Sequence, residues 1–300
     1  MAGCLFIYLF TSRILGWIDK WHITLVARGY AAAASALIIP LLYRLSRELG
    51  LRRTAWLPPL AFAVTPLAIQ YAHYGAVDGL LTFWVVWTSL LGLKAWNKGA
   101  KAYWVLAGVS LGLGLATKTT ALIWGLIFVA AAGYEWVWTR RVLRGLTILI
   151  CGGVGMLLGV LLASPYYLFD WPAFHSIMAM QAAKTVTGRI LCTYHWQFLN
   201  VRPFLFEIEQ LGRWAVGIPL TVLGGIGLIA LWRKEILCLA KDWRWLLVLL
   251  PPTLYLWTWN TDEAEETFQV FDHPVVYIFE RIVELNPEQI HNILERCVSP

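Results

Sequence analysis

Asp78-Gly-Leu-Leu-Thr-Phe-Trp-Val-Val-Trp-Thr-Ser-Leu-Leu-Gly-Leu93 places one carboxylate ahead of fifteen uncharged residues, and Lys94, Lys98 and Lys101 follow closely. Continued to Asn97, the stretch is long enough to cross about 30 Å of hydrocarbon at 1.5 Å per residue. The pattern recurs. Apolar stretches at about 26 to 47, 55 to 72, 78 to 97, 103 to 117, 120 to 138, 144 to 164, 212 to 232 and 244 to 259 predict eight transmembrane helices. Residues 4 to 17 form a ninth apolar run, too short to span and carrying Arg13, so an interfacial or re-entrant helix is expected there. The run lacks the basic start and small-residue cleavage site of a signal peptide.

Basic residues orient these spans, because Lys and Arg near helix ends resist translocation and mark the cytoplasmic side. Arg44, Arg47, Arg52 and Arg53 follow the first span, and Lys94, Lys98 and Lys101 the third. Arg140, Arg141 and Arg144 follow the fifth, and Arg233, Lys234, Lys241 and Arg244 the seventh. The alternate connections are the 71 to 78 turn, the turn at Lys118, a long loop from 165 to 211 and the tail from 260. All of these are expected outside the cytoplasm.

Composition agrees: 59% of the 300 residues are hydrophobic and 14% charged, against roughly 25% charged in soluble domains. Eighteen Trp and twelve Tyr suit helix ends at headgroup level. The net charge of +6 is spread over short loops and makes no continuous patch that could track phosphates, so nucleic acid is excluded as a partner. Cys4, Cys151, Cys192, Cys238 and Cys297 form no C-x-x-C pair, and most read as small apolar fillers, with a bridge from Cys192 to Cys297 outside the cytoplasm as the alternative. In the acidic tail, Thr267 to Phe271 and Val275 to Phe279 are β-rich runs broken at Asp272-His273-Pro274. Asn286 and Pro287 then open a short helix. The fold expectation is an all-α polytopic membrane protein: residues 1–259 form the transmembrane domain and 260–300 a small α+β tail outside the cytoplasm.

Chemistry is sought on the outward side. Tyr71-Ala-His73-Tyr74-Gly-Ala-Val-Asp78 ends on a carboxylate where a helix enters the bilayer. Asp78 reads equally as an N-cap and as a general base or acceptor-orienting group at the mouth of a cavity. Lys118 ends the glycine-bearing Gly112-Leu-Gly-Leu-Ala-Thr-Lys118 helix. It reads either as a lysine snorkelling to headgroups or as a cation for a phosphate. Lys184, Arg189 and Arg202 are candidates to complete a phosphate clamp. In the long loop, aromatic residues interleaved with His175, His195 and Gln197 suit sugar recognition as well as a headgroup belt. His73, His175 and His195 lack metal-ligand spacing. No cofactor and no metal site is assigned, and a need for a divalent metal is left open.

These residues resemble the membrane-embedded GT-C glycosyltransferases related to protein O-mannosyltransferases and the lipid A aminoarabinose transferase, of glycosyltransferase family 39 type. The resemblance rests on Arg28 and Leu41-Leu-Tyr-Arg-Leu-Ser-Arg-Glu-Leu-Gly50, and on Thr65-Pro66 through His73 to Asp78. It also rests on Gly108 to Lys118, and on Ser164-Pro165 through Asp170-Trp-Pro-Ala-Phe and Gln197-Phe198 to Gly217-Ile-Pro219. It implies a polyprenyl-phosphate sugar as donor and a lipid, glycan or protein as acceptor. Transfer with inversion on the extracytoplasmic face of the bilayer, expected to be a bacterial plasma membrane, is implied too. Asp78 matches the family's second acidic position and Lys118 its basic position; His73, Tyr74, Lys184, Arg189, His195 and Gln197 are substrate-binding candidates. Relatives begin with a further helix and an outward loop bearing the principal acid, so the expectation is a truncated or internally deleted member. The competing reading is a transporter or flippase for lipid-linked sugars, which should carry midplane charges or broken helices in both halves. A structural or assembly subunit is a third.

Overall fold

The computed structural model describes residues 20–165, 169–185 and 205–227, and among them every regular element is helical. The helices are α1 (Lys20–Glu48), α2 (Leu57–Ala63), α3 (Pro66–His73), α4 (Val77–Lys98) and α5 (Lys101–Thr117), then a 3-10 segment (Thr119–Gly125) running into α6 (Leu126–Val137) and α7 (Val142–Ala163). Further on come α8 (Trp171–Thr185), α9 (Leu205–Gln210) with a π turn at Leu211–Ala215, and α10 (Ile218–Gly227).

Four stretches are long and apolar enough to cross a membrane: Thr24–Glu48, Val77–Lys98, Thr119–Val137 and Val142–Ala163. They coincide with four of the eight expected spans. The chain is an integral membrane protein by the standard of length and composition. α5, with 17 residues, runs about 25 Å and lies in the chain between the second and third of these stretches.

The stretch 55 to 72, expected as one span, is two short helices. Pro66 has no N–H to donate and disfavours helical geometry in the residue before it. Thr65 accordingly turns extended (φ −72°, ψ 120°), its hydroxyl donating to the Ala61 carbonyl at 2.7 Å. The long loop from 165 to 211 also departs from expectation, because α8 and α9 lie within it. Asp170 Oδ1 accepts from the Ala173 N–H at 3.4 Å, so Asp170-Trp-Pro is a helix start. The span expected at 212 to 232 opens instead with the π turn, and helix resumes at Ile218. The interfacial run 4 to 17, the span 244 to 259 and the α+β tail lie outside the described residues.

Packing runs across the bundle in the order α1, α4, α5, α7, so neighbours in space are not always neighbours in sequence. Lipid provides no hydrophobic drive between helices, and close backbone approach replaces it. A Cβ on Gly108 or Gly112 of α5 would collide with the carbonyl oxygens of Gly152 and Met156, and one on Gly155 or Gly159 of α7 with those of Val105 and Val109. The glycines of α5 thus serve a neighbouring helix. Leu93, Trp104, Leu111, Trp124, Ile127, Phe128 and Ile148 close the core beside this contact. The opposite face of α7, with Leu143, Ile150, Val154 and Leu162, is exposed and wholly apolar, as a lipid-facing surface is.

Candidate functional site

Asp78 is set by the way α4 starts. Tyr74 and Ala76 are extended (ψ 145° and 147°), and the turn between α3 and α4 lies on the small-residue stripe Ala27, Ala31 and Ser35 of α1. A Cβ on Gly75 would stand 3.0 Å from that of Ala27, and one on Gly79 3.3 Å from Ser35 Oγ. Two missing side chains therefore let the start of α4 sit directly on α1. Ala76 takes the cap position and Asp78 is the second helical residue, which displaces the N-cap reading. Its charge still lies in the first turn, where the helix dipole favours an anion.

Lys118 is set by the way α5 ends. Its backbone turns extended (φ −150°, ψ 131°) while its N–H still donates to Gly114. The chain re-enters helix as the 3-10 turn, with Ala121 N–H donating to the Lys118 carbonyl at 3.0 Å. Gly114 lets α4 come close, since a Cβ there would lie 3.2 Å from Trp84 Cβ. Ser110 Oγ donates across the same interface to the Trp84 carbonyl at 3.1 Å.

The two termini meet. Lys118 Nζ donates to Asp78 Oδ1 at 3.1 Å, with the side chains 17% and 12% exposed. An ammonium and a carboxylate from positions forty apart share a largely enclosed site at one end of the bundle. Such an arrangement can hold an anionic oxygen at the cation and take up or orient a proton at the acid.

The other candidates are placed less closely. His73 is exposed at the end of α3, its Nδ1 donating to the Ile69 carbonyl at 2.7 Å. Tyr74 is half-buried beside it. Lys184 falls in α8, whereas Arg189, Arg202, His195 and Gln197 lie outside the described residues. His175 is exposed on α8 with its ring 6.5 Å from that of Trp171. Among the described residues, no three His, Cys, Asp or Glu side chains gather where they could hold a metal.

The opposite end of the bundle contains a charge that sequence reasoning passed over. Glu135, at 1% exposure, accepts from Arg144 Nε at 3.0 Å and lies 2.6 Å from the Thr139 hydroxyl. Arg144 in turn covers the Trp96 ring at 5.5 Å. The signal was present: an acid one helical turn before Thr139 and shortly before Arg140, Arg141 and Arg144.

The family described as dolichyl-phosphate-mannose-protein mannosyltransferase matches residues 4–169, more than half of the chain and inclusive of both Asp78 and Lys118. The chain belongs to this family. Its resemblance to the GT-C glycosyltransferases is thereby a membership. The undecaprenyl phosphate-alpha-4-amino-4-deoxy-L-arabinose arabinosyl transferase 1 of Pseudomonas fluorescens is 34% identical to this GT-C member over 150 residues, 47% of the chain and 26% of that protein. The chain thus spans about a quarter of the length of this curated relative. No solved structure matches it.

Proposed function

We propose that the chain supplies the phosphate-holding and acceptor-activating part of an inverting glycosyltransferase that uses a polyprenyl-phosphate sugar on the extracytoplasmic face. The observation that carries this reading is the Lys118–Asp78 pair, 3.1 Å apart, in the family-matched segment. The name of the Pseudomonas relative supports the donor class, a sugar on undecaprenyl phosphate. The outward assignment rests on the basic connections, which alternate with those holding Asp78 and Lys118.

In this reading the acceptor hydroxyl gives its proton to the Asp78 carboxylate as its oxygen attacks the anomeric carbon. The bond from that carbon to the phosphate oxygen breaks, and polyprenyl phosphate leaves with one further negative charge, which the Lys118 ammonium balances. A single displacement inverts the anomeric centre. Proton transfer to a placed base contributes roughly 10²–10⁴-fold, and a fixed cation at the leaving oxygen about 10²–10³-fold.

Asp78→Asn and Lys118→Ala, assayed in proteoliposomes with a polyprenyl-phosphate sugar, are each expected to cut transfer by about 10²-fold or more with membrane insertion unchanged. Unaltered turnover in both variants overturns the assignment. Labelling single cysteines at positions 78 and 118 from each compartment checks the sidedness, and reaction from the cytoplasmic side overturns it.

A further inference from the structure

The site as it stands is closed on itself. Lys118 Nζ rests on Asp78 Oδ1 at 3.1 Å, yet the proposed reaction needs the two groups on opposite sides of the sugar. Inversion places the attacking hydroxyl and the departing phosphate oxygen across the anomeric carbon from each other. In inverting glycoside hydrolysis, the two groups that flank the sugar stand roughly 6.5–9.5 Å apart. An ammonium that touches the base cannot at the same time neutralise a phosphate on the far side of the ring.

We propose that the Asp78–Lys118 pair is the donor-free, resting form of the site, and that the donor phosphate opens it by taking the Lys118 ammonium from Asp78. This inference rests on the reading of Lys118 as a phosphate ligand and goes one step past it. The pair is a lock: the acid is held by the lysine until a phosphate arrives.

The parts suit such an exchange. Lys118 is a compact charge on a flexible four-carbon stem, in an extended residue between α5 and the 3-10 turn, so its head can swing without unwinding a helix. Asp78 is fixed in the first turn of α4, seated on α1 through Gly75 and Gly79. Both side chains keep some exposure, so a phosphate can reach the ammonium without passing through the core. Phosphate and carboxylate are both anions that accept from the same ammonium, so they compete.

Competition has a signature that simple cooperation lacks. Removing the charge of Asp78 should tighten the binding of a lipid phosphate while it abolishes transfer. The probe is undecaprenyl phosphate, the carrier without sugar, titrated into the full chain in lipid nanodiscs. Asp78→Asn is expected to tighten binding about fivefold, the equivalent of one partly exposed ion pair, and Lys118→Ala to weaken it about tenfold or more. In the double variant the Asn substitution should change nothing, because its effect passes through Lys118.

Tighter binding of equal size in both backgrounds would mean a general loss of negative charge and overturn the lock. Weaker binding in Asp78→Asn would show that the acid supports the lysine and overturn it as well. Unchanged binding in Lys118→Ala would remove the phosphate ligand itself. That outcome sinks the glycosyltransferase site along with the lock, whereas the first two leave the site standing. Thermal unfolding of each variant, equal to that of the parent, shows that the shifts belong to binding.

Discussion

At one end of the bundle Lys118 reaches Asp78 at 3.1 Å across two helices; at the other, Arg144 reaches Glu135 at 3.0 Å around a single hairpin. The first pair shares its exposure almost evenly, 17% for the lysine and 12% for the acid. The second is lopsided, with Glu135 at 1% and Arg144 at 41%. Both oxygens of Glu135 are engaged, one by Arg144 and one by Thr139, and its backbone carbonyl accepts from Arg141 N–H at 2.8 Å. Arg140 sits left-handed in that turn at φ 56°, a conformation costly for a residue with a side chain unless the surroundings impose it. Glu135 gathers the surroundings that do. A fully engaged, buried carboxylate holds a turn together. One that keeps 12% exposure, beside a lysine on a flexible four-carbon stem, is suited to exchanging partners.

Variants that separate structure from reaction sharpen this contrast, and the one that breaks it outright lies between the ends. Gly112→Leu would drive a side chain into the Met156 carbonyl of α7, where the obstacle is backbone and cannot move aside. The cost is expected at about 3 kcal/mol or more, read as a lower unfolding temperature in detergent together with loss of lipid-phosphate binding. A stable variant with normal binding would show that α5 and α7 do not hold the register on which both ends depend. Arg144→Ala comes next. It leaves Glu135 buried without its cation, expected to cost about 3 kcal/mol. Asp78→Asn at the other end should stay within about 1 kcal/mol of the parent. Equal losses at both ends would erase the distinction between clasp and site.

Much of this was legible in the sequence. The apolar periods gave four helices that meet the length and composition of a span, and Asp78 and Lys118 stood out as charges on the side where connections are otherwise poor in them. Their meeting was not legible. It depends on Gly75 and Gly79 lying on Ala27 and Ser35, and on Gly114 admitting Trp84, contacts between helices that no single-helix period encodes. The break at Thr65–Pro66 was written in the chain but outweighed by hydropathy, which ranks Pro as merely apolar while its missing N–H ends a helix. Glu135 was hidden for the opposite reason. One acid beside three arginines reads as a solvated cytoplasmic edge, and only the fold shows it turned inward.

A smaller change than Arg144→Ala tests the clasp most directly. The Thr139 hydroxyl lies 2.6 Å from Glu135 Oε2 and 2.8 Å from the Glu135 carbonyl oxygen, so its one proton is shared between a buried carboxylate and the last turn of α6. Thr139→Val keeps the shape and removes the proton, and a buried acceptor that loses a partner costs about 1–2 kcal/mol. Thr139→Ser keeps the proton and should retain most of the stability. Unfolding temperature measured for the pair of variants decides the point, and lipid-phosphate binding should be the same in both because the turn is remote from Lys118. Were Ser to lower stability and Val to leave it unchanged, the methyl group and not the hydroxyl would be what matters, and Glu135 would be held by Arg144 alone.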